Sequence, residues 1–183
     1  MQRKSFEKMT CPIARSLERV GEWWSMLIMR DALHGMTRFD EFQNSLGIAP
    51  NMLTRRLNAL VEAGLLERRR YSEHPPRHEY VPTARGRDLR PVVISLLAWG
   101  NKHFAPEGPS VVLVNSTTGA VVDPILADPT TGRPVDEPDY TFAPGPVAGP
   151  RTRQRYGTID DAASSARKRA TANREPTSQA SSK

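Results

Sequence analysis

The chain holds one cysteine, Cys11, and four histidines in 183 residues. A lone cysteine excludes an intrachain disulfide and leaves any cysteine-based zinc site without partners. This fits a reducing compartment, so a cytoplasmic location is expected. His34, His74, His78 and His103 share no metal-ligand spacing with a carboxylate cluster. His74 and His78 lie four apart, but in a proline-rich stretch rather than on a helix. No glycine-rich phosphate loop occurs. No cofactor, metal or catalytic residue is therefore expected, and the chain does not read as an enzyme. Long apolar runs are missing too. The richest, Trp23 to Met29, is far too short to span a membrane, and Glu22, Arg30 and Asp31 flank it. The N-terminus, MQRKSFEKMTCPIARS, lacks the apolar stretch of a signal peptide. Without such a signal, the sequon Asn115-Ser116-Thr117 reads as chance. Aromatics are scarce at 7% and apolar residues reach 38%, enough for one modest core.

Positive charge is what the chain does have. Its formal net charge is +6 and its pI is near 9.9, so polyanions are expected partners. The charge is uneven. Residues 1–104 carry a net +6, residues 105–150 a net −5, and residues 151–183 a net +5.

Helix signals dominate the front of the chain. Pro12 suits a first turn, Ile13, Leu17 and Val20 recur at helical spacing, and Gly21 ends the run. A second helix is expected from Trp23 to Leu33, with Trp23, Leu27 and either Ile28 or Arg30 one turn apart, closed by Gly35. Thr37-Arg38-Phe39 fits a single strand or a helix lead-in. Phe39, Phe42 and Leu46 mark a third helix that stops at Gly47. Pro50 opens a fourth, where Leu53, Leu57 and Leu60 form one stripe, widened by Val61 and stopped at Gly64. A short helix, a tight turn and a second helix make a helix-turn-helix.

Two strands follow, Leu65 to Tyr71 and Arg77 to Val81. The SEHPP between them cannot be regular strand, because two prolines remove ladder donors. Thr83 looks like the N-cap of a fifth helix carrying Leu89, Val92 or Val93, Leu96 and Trp99. Pro91 falls inside it and should kink it. The order is a recognition helix followed by a β-wing. The expected fold is mostly α with a small β-wing (α+β), a winged helix-turn-helix over residues 1–104. Residues 105–150 read as a small acidic β-hairpin accessory segment, because TTGAVVD and TTGRPVD repeat 13 residues apart. From Gly145 onward the composition predicts disorder, including a basic tail over 151–183.

The fourth helix carries the candidate chemistry. Opposite its leucine stripe lie Asn51, Arg55, Asn58 and Glu62, with Thr54 at the edge. Asn and Arg can make bidentate contacts with adenine and guanine edges. Pro50 stands at the helix N-terminus, where free N–H groups suit a phosphate. Arg68, Arg69, Arg70, Arg77 and His78 bracket the wing. Alternation puts Arg68 and Arg70 on one face and Arg69 on the other, and some of these residues should meet phosphates or a minor groove. A leucine stripe with arginine opposite is, by itself, a solvated surface helix. The helix-turn-helix order, the Arg-rich hairpin and the basic domain together favour double-stranded DNA as the partner.

These residues also resemble a known family, the HxlR-type winged helix-turn-helix transcriptional regulators of bacteria. The landmarks are Cys11-Pro12, Gly21-Glu22-Trp23-Trp24, Arg38-Phe39 with Glu41-Phe42, Gly47-Ile48 and Leu53-Thr54-Arg55-Arg56-Leu57. They continue with Gly64-Leu65-Leu66, Arg68, Tyr71, Pro76, Glu79-Tyr80, Thr83, Gly86, Leu89 and Trp99. The resemblance covers about residues 11–104. It implies a homodimer built from the first helix and the long last helix, through Ile13, Leu17, Leu89, Val92, Leu96 and Trp99. It implies an inverted-repeat operator with half-sites about one helical turn apart, and most often repression. It carries DNA contact to Asn51, Thr54, Arg55 and Arg56, and to the wing near Arg77. The helical wheel places Arg56 on the flank, as a phosphate contact at best. Some relatives have cysteine pairs in the segment that is 105–150 here. STTG and PTTG stand in their place, so a metal-binding ribbon is not expected, and an accessory β-unit packing on the dimer is.

The family places at Cys11 a cysteine that in some members senses oxidants or electrophiles. A thiol at a helix start near Arg15 and Lys8 would be reactive; the alternative is a buried small apolar side chain. Trp23, Trp24, Trp99 and Tyr80 read as core and dimer-seam residues rather than a ligand pocket, though a small-molecule effector stays open. The basic tail would add non-specific DNA attraction or simply solubility. The expected function is a sequence-specific DNA-binding transcriptional regulator, most often a repressor. The alternative is a winged-helix protein-interaction module without sequence-specific DNA binding.

Overall fold

A proline or glycine stands at or beside at least one end of each of the first four helices. The computed structural model describes residues 6, 11–161, 163 and 164. Helix α1 (Pro12–Val20) and helix α4 (Pro50–Glu62) both begin with a proline in the first turn, where its missing N–H leaves no bond unmade. Helix α2 (Trp23–Leu33) lies between α1 and α3 (Phe39–Leu46). Gly47, with φ of 60°, ends α3 and permits the sharp turn into α4. Helix α4 ends in a Schellman motif. The N–H of Gly64 donates to the Val61 carbonyl and that of Leu65 to the Leu60 carbonyl, both at 2.9 Å.

The core sits where α2, α3 and α4 meet the base of the hairpin. Ile28, Met29, Phe42, Leu53, Leu57, Leu60 and Leu66 are fully buried, and Ala32, Ile48, Leu65 and Tyr80 complete the cluster. The leucine stripe of α4 faces inward as expected. Burying one such side chain contributes about 1.5–3 kcal/mol. One charge is buried among them. Asp31 accepts from Ser45 Oγ at 2.7 Å and from Arg30 Nε at 2.8 Å, which ties α2 to α3.

Strands β1 (Leu66–Glu73) and β2 (Pro76–Pro82) form the antiparallel wing. The fold is a small helical domain with a two-stranded wing, as expected. The strands run further than the sequence suggested. Ser72 and Glu73 belong to β1, and Pro76 opens β2 opposite Glu73. A proline that starts a strand at a tip removes no internal ladder bond. Thr37 and Arg38 prove to be both strand and lead-in. Tyr80 donates its N–H to the Thr37 carbonyl at 2.7 Å and Arg38 bridges Glu79, before α3 starts at Phe39.

The expected single helix after the wing is two. Helix α5 (Ala84–Arg87) is one turn, and α6 (Arg90–Phe104) starts afresh. Pro91 therefore lies in the first turn of α6 and produces no kink, since it displaces no helical bond there. Thr83 caps α5 as anticipated, accepting from the Gly86 N–H at 3.1 Å and donating to the Gly64 carbonyl at 2.7 Å. Helix α6 buries no residue.

The chain divides into two compact units, Met1–Pro124 and Ile125–Lys183. The first unit ends with a hairpin, β3 (Leu113–Val114) and β4 (Val121–Val122). Its Asn115 side chain accepts from the Thr117 and Thr118 N–H groups, and Gly119 has φ of 71°. The second unit contains the same turn in the other Thr-Thr-Gly copy. Asp128 accepts from the Thr130 N–H at 2.9 Å, and Gly132 also has φ of 71°. The second unit also holds helix α7 (Pro150–Tyr156), where the composition predicted disorder. Pro150 in its first turn and Gly157 after it delimit this helix like those at the front of the chain. The expectation of disorder for 165–183 lies outside the described residues.

Of the glycines among the described residues, Gly86 leaves the least room for a side chain. A Cβ there would lie 2.1 Å from the Leu65 carbonyl oxygen. Gly86→Ala is expected to destabilise the fold by about 1–3 kcal/mol, the usual range for overpacking. Urea unfolding of the variant against wild type measures it, and an unchanged midpoint would contradict the close approach.

Candidate nucleic-acid interface

Because Leu53, Leu57 and Leu60 point into the core, helical geometry turns the other side of α4 outward. Pro50, Asn51, Thr54, Arg55 and Asn58 are all exposed. The Thr54 hydroxyl donates to the Pro50 carbonyl at 2.9 Å, and Arg55 leans on the Met52 sulfur at 3.5 Å. Both groups remain at the surface. Arg56 does not join them. It reaches back to Glu22 at the start of α2, 3.1 Å away, and its side chain is only 17% exposed. Its Nε is buried without a hydrogen-bond partner. The flank position forecast by the wheel thus becomes a tie between α4 and α2.

The wing register sorts the arginines. Arg68 opposes Tyr80, Arg69 opposes Glu79, Arg70 opposes His78 and Ser72 opposes Arg77. Arg68 and Arg70 therefore share one face and Arg69 takes the other. Arg68, Arg70 and Arg77 are exposed, and His78 is half-buried. Two of the exposed arginines hold acidic neighbours: Arg69 pairs with Glu67 at 2.9 Å and Arg70 with Glu73 at 2.8 Å. The first pair holds the Glu67 carboxyl below its ordinary range, chiefly through the Arg69 hydrogen bond. Pairs this exposed are screened by water and contribute little, so an incoming phosphate can displace them.

A residue that sequence reasoning passed over stands at the joint between α3 and the wing. The Arg38 guanidinium lies over the Tyr71 ring, 5.0 Å from its centroid. Tyr71 is the extra residue of the β1 bulge between Arg70 and Ser72. No spacing in the sequence links positions 33 apart; only the pairing of residues 37–38 with β2 brings them together. The Glu41 carboxylate accepts from the Arg38 N–H at 2.9 Å and the Thr37 N–H at 2.8 Å, fixing the start of α3.

Elsewhere, Cys11 is exposed at the N-cap of α1, which removes the reading of it as a buried apolar side chain. Lys8, the other expected basic neighbour, lies outside the described residues. Tyr80 is a core residue and Trp24 packs against the core, whereas Trp23 and Trp99 are exposed. No metal-binding group of His, Cys, Asp and Glu occurs among the described residues. No helix among them is long and apolar enough to cross a membrane.

The family model of the HxlR-like helix-turn-helix matches residues 19–108. A transcriptional regulator of the helix-turn-helix type from Mycobacterium tuberculosis, itself uncharacterized, is 42% identical over 135 residues, 73% of this chain and 85% of that one. The chain belongs to the HxlR-like family. Among solved structures, PA1374 of Pseudomonas aeruginosa, described as a candidate transcription factor, is 61% identical. It is matched over 79% of this chain and 99% of its own, with a TM-score of 0.59. PA1607, described in the same way, is 39% identical, covers 76% of this chain and 99% of its own, and has a TM-score of 0.68. Membership makes this HxlR-like chain a transcriptional regulator with a helix-turn-helix DNA-binding domain.

The Glu41 cap yields a test by pH. Bonds first from the Arg38 N–H and then from the Thr37 N–H hold this carboxyl below its ordinary value of 4.5. A carboxyl lowered in the folded state stabilises the fold above its unfolded pKa, and that contribution is lost as pH falls through the folded value. Glu41→Gln should therefore melt lower than wild type at pH 7 and show a flatter decline between pH 4.5 and the acid limb. Thermal melts across that range decide; parallel curves would remove Glu41 from the cap.

Proposed function

We propose that this HxlR-like regulator is a sequence-specific repressor that binds an inverted-repeat operator as a homodimer. The observation carrying the proposal is the outward side of α4, where Asn51, Thr54, Arg55 and Asn58 stand together behind the helix start at Pro50. Asn51 and Arg55 are one turn apart, so both can address the same groove. On this reading α4 enters the major groove, and Arg68, Arg70, Arg77 and His78 meet the sugar-phosphate backbone or the adjoining minor groove. Base contacts choose the sequence, while phosphate contacts give affinity and register. Arg56 is left out of the interface because it is engaged with Glu22.

Homodimerisation is supported by apolar side chains that the protomer leaves uncovered. Ile13 and Leu17 on α1, and Val92, Leu96 and Trp99 on α6, are about half exposed or more. With Leu89, Trp23 and Met26 they flank or line an open apolar groove of about 900 Å³. A second copy of this chain is the occupant proposed. An isologous contact would pair α1 and α6 with their own copies and set two α4 helices about one DNA turn apart. The reading assigns DNA binding and dimerisation to residues 1–104 and an accessory role to the acidic segment 105–150.

The deciding experiment is selection of duplexes from random DNA by the full chain. An enriched inverted repeat is expected. No enrichment at low salt would leave a winged-helix protein-docking module as the better account. On the selected duplex, Asn51→Ala and Arg55→Ala should each cost about 1–3 kcal/mol and relax preference at one base pair per half-site. Leu96→Asp should yield monomers in sedimentation and weaken operator binding, and a dimer that survived it would rule out the α6 seam. Cys11→Ser should abolish any loss of binding caused by diamide; a response equal to wild type would end the thiol-sensing idea.

A further inference from the structure

We propose that Arg38 binds a DNA phosphodiester, and that Tyr71 holds it in place at the joint between the helix-turn-helix and the wing. The inference rests on the DNA-binding reading above and extends it to a contact outside α4 and the wing arginines. The backbone of Arg38 is fixed from two sides. It bridges Glu79 of β2, and its N–H donates to the Glu41 carboxylate at 2.9 Å. The side chain is then fixed by the ring of Tyr71, with the guanidinium carbon 5.0 Å from the centroid. A guanidinium placed over a ring keeps its N–H donors, whose fork matches a phosphate, and Arg38 remains exposed. Both residues are exposed, and Tyr71 is 42% open to solvent.

The location suits a phosphate rather than a base. Arg38 immediately precedes α3, the first helix of the helix-turn-helix, and that helix crosses the sugar-phosphate backbone when the second lies in the groove. The acidic neighbours are accounted for. Glu41 is bonded to two backbone N–H groups, and Glu79 stands opposite Arg69 in the wing. The bulge at Tyr71 also gains a purpose. Tyr71 is the residue left unpaired there, between the Arg70–His78 and Ser72–Arg77 pairs, and it is the one that meets Arg38.

The test uses the full chain and the selected duplex, titrated at several salt concentrations with fluorescence anisotropy. Each phosphate contact contributes about 0.9 to the slope of log K against log salt. Arg38→Gln, which keeps the length and loses the charge, should lower the slope by about that amount and weaken all duplexes equally. Arg38→Lys should keep the slope. Tyr71→Phe should bind like wild type, while Tyr71→Leu should bind more weakly, because the guanidinium is no longer held. Thermal melts of each variant separate contact from folding. A wild-type slope and affinity for Arg38→Gln would overturn the proposal. So would a loss of affinity that merely tracks a lowered melting temperature at unchanged slope. Wild-type protein that binds no duplex at low salt would overturn the DNA reading itself, and this contact with it.

Discussion

Everything at the candidate interface depends on the seating of three leucines. Leu53, Leu57 and Leu60 are completely buried, and they lock the rotation of α4 about its own axis. A turn of 100° would expose one row of them and cost several kcal/mol by transfer alone. The outward display of Asn51, Thr54, Arg55 and Asn58 is therefore a by-product of the core, not a feature maintained at the surface. The ends of α4 are fixed as firmly. Pro50 and the Gly47 turn define where it starts, and the Schellman motif at Gly64 passes the chain directly into the wing.

Polar ties supplement this packing, and they converge on α2. Asp31 holds α3 through Ser45, and Glu22 holds α4 through Arg56. Burying such charges is not in itself a source of stability; desolvation offsets much of the attraction. What the pairs add is position. They relate both helices of the helix-turn-helix to one neighbour, so α4 is held in place before it meets any partner. The same logic explains the loss of Arg56 from the surface, since a cation that fixes α4 to α2 is not available to a phosphate.

Much of the fold was legible because prolines and glycines punctuate it. Pro12, Gly47, Pro50 and Gly64 stand at element ends, and the leucine spacing set the inward face. The errors share a cause: they arose where a local rule met a non-local fact. Pro91 reads as a kink only if the helix capped at Thr83 runs unbroken through Leu89 to Trp99. The chain instead breaks at Asp88 and Leu89, and the proline takes a first turn. Two prolines in SEHPP argued against strand, yet Pro76 sits at a strand start where no donor is required. Composition gave disorder at 150–156, where Pro150 and Gly157 bound a helix. Of the candidate contact residues, the wheel identified the exposed set on α4 but could not show that Arg56 meets Glu22. It was silent on Arg38, because its partner Tyr71 is reached only through sheet pairing.

The arginines of this surface can be ranked by what each must give up to meet DNA. Arg70 and Arg69 hold exposed pairs with Glu73 and Glu67, both partners half or more open to water. Releasing such a water-screened pair costs little, and a charge-assisted bond to phosphate can replace it. Arg56 would have to leave a carboxylate whose side chain is 28% exposed, while its own is 17% exposed. Breaking a half-buried pair leaves an uncompensated charge in poorly hydrated surroundings, a larger cost than one surface phosphate contact repays. Arg38 is different again, because its contact is with the Tyr71 ring rather than with a carboxylate, so meeting a phosphate requires no ion pair to be released. Preorganisation, rather than the number of arginines, is then what would separate binding residues from merely basic ones on this face.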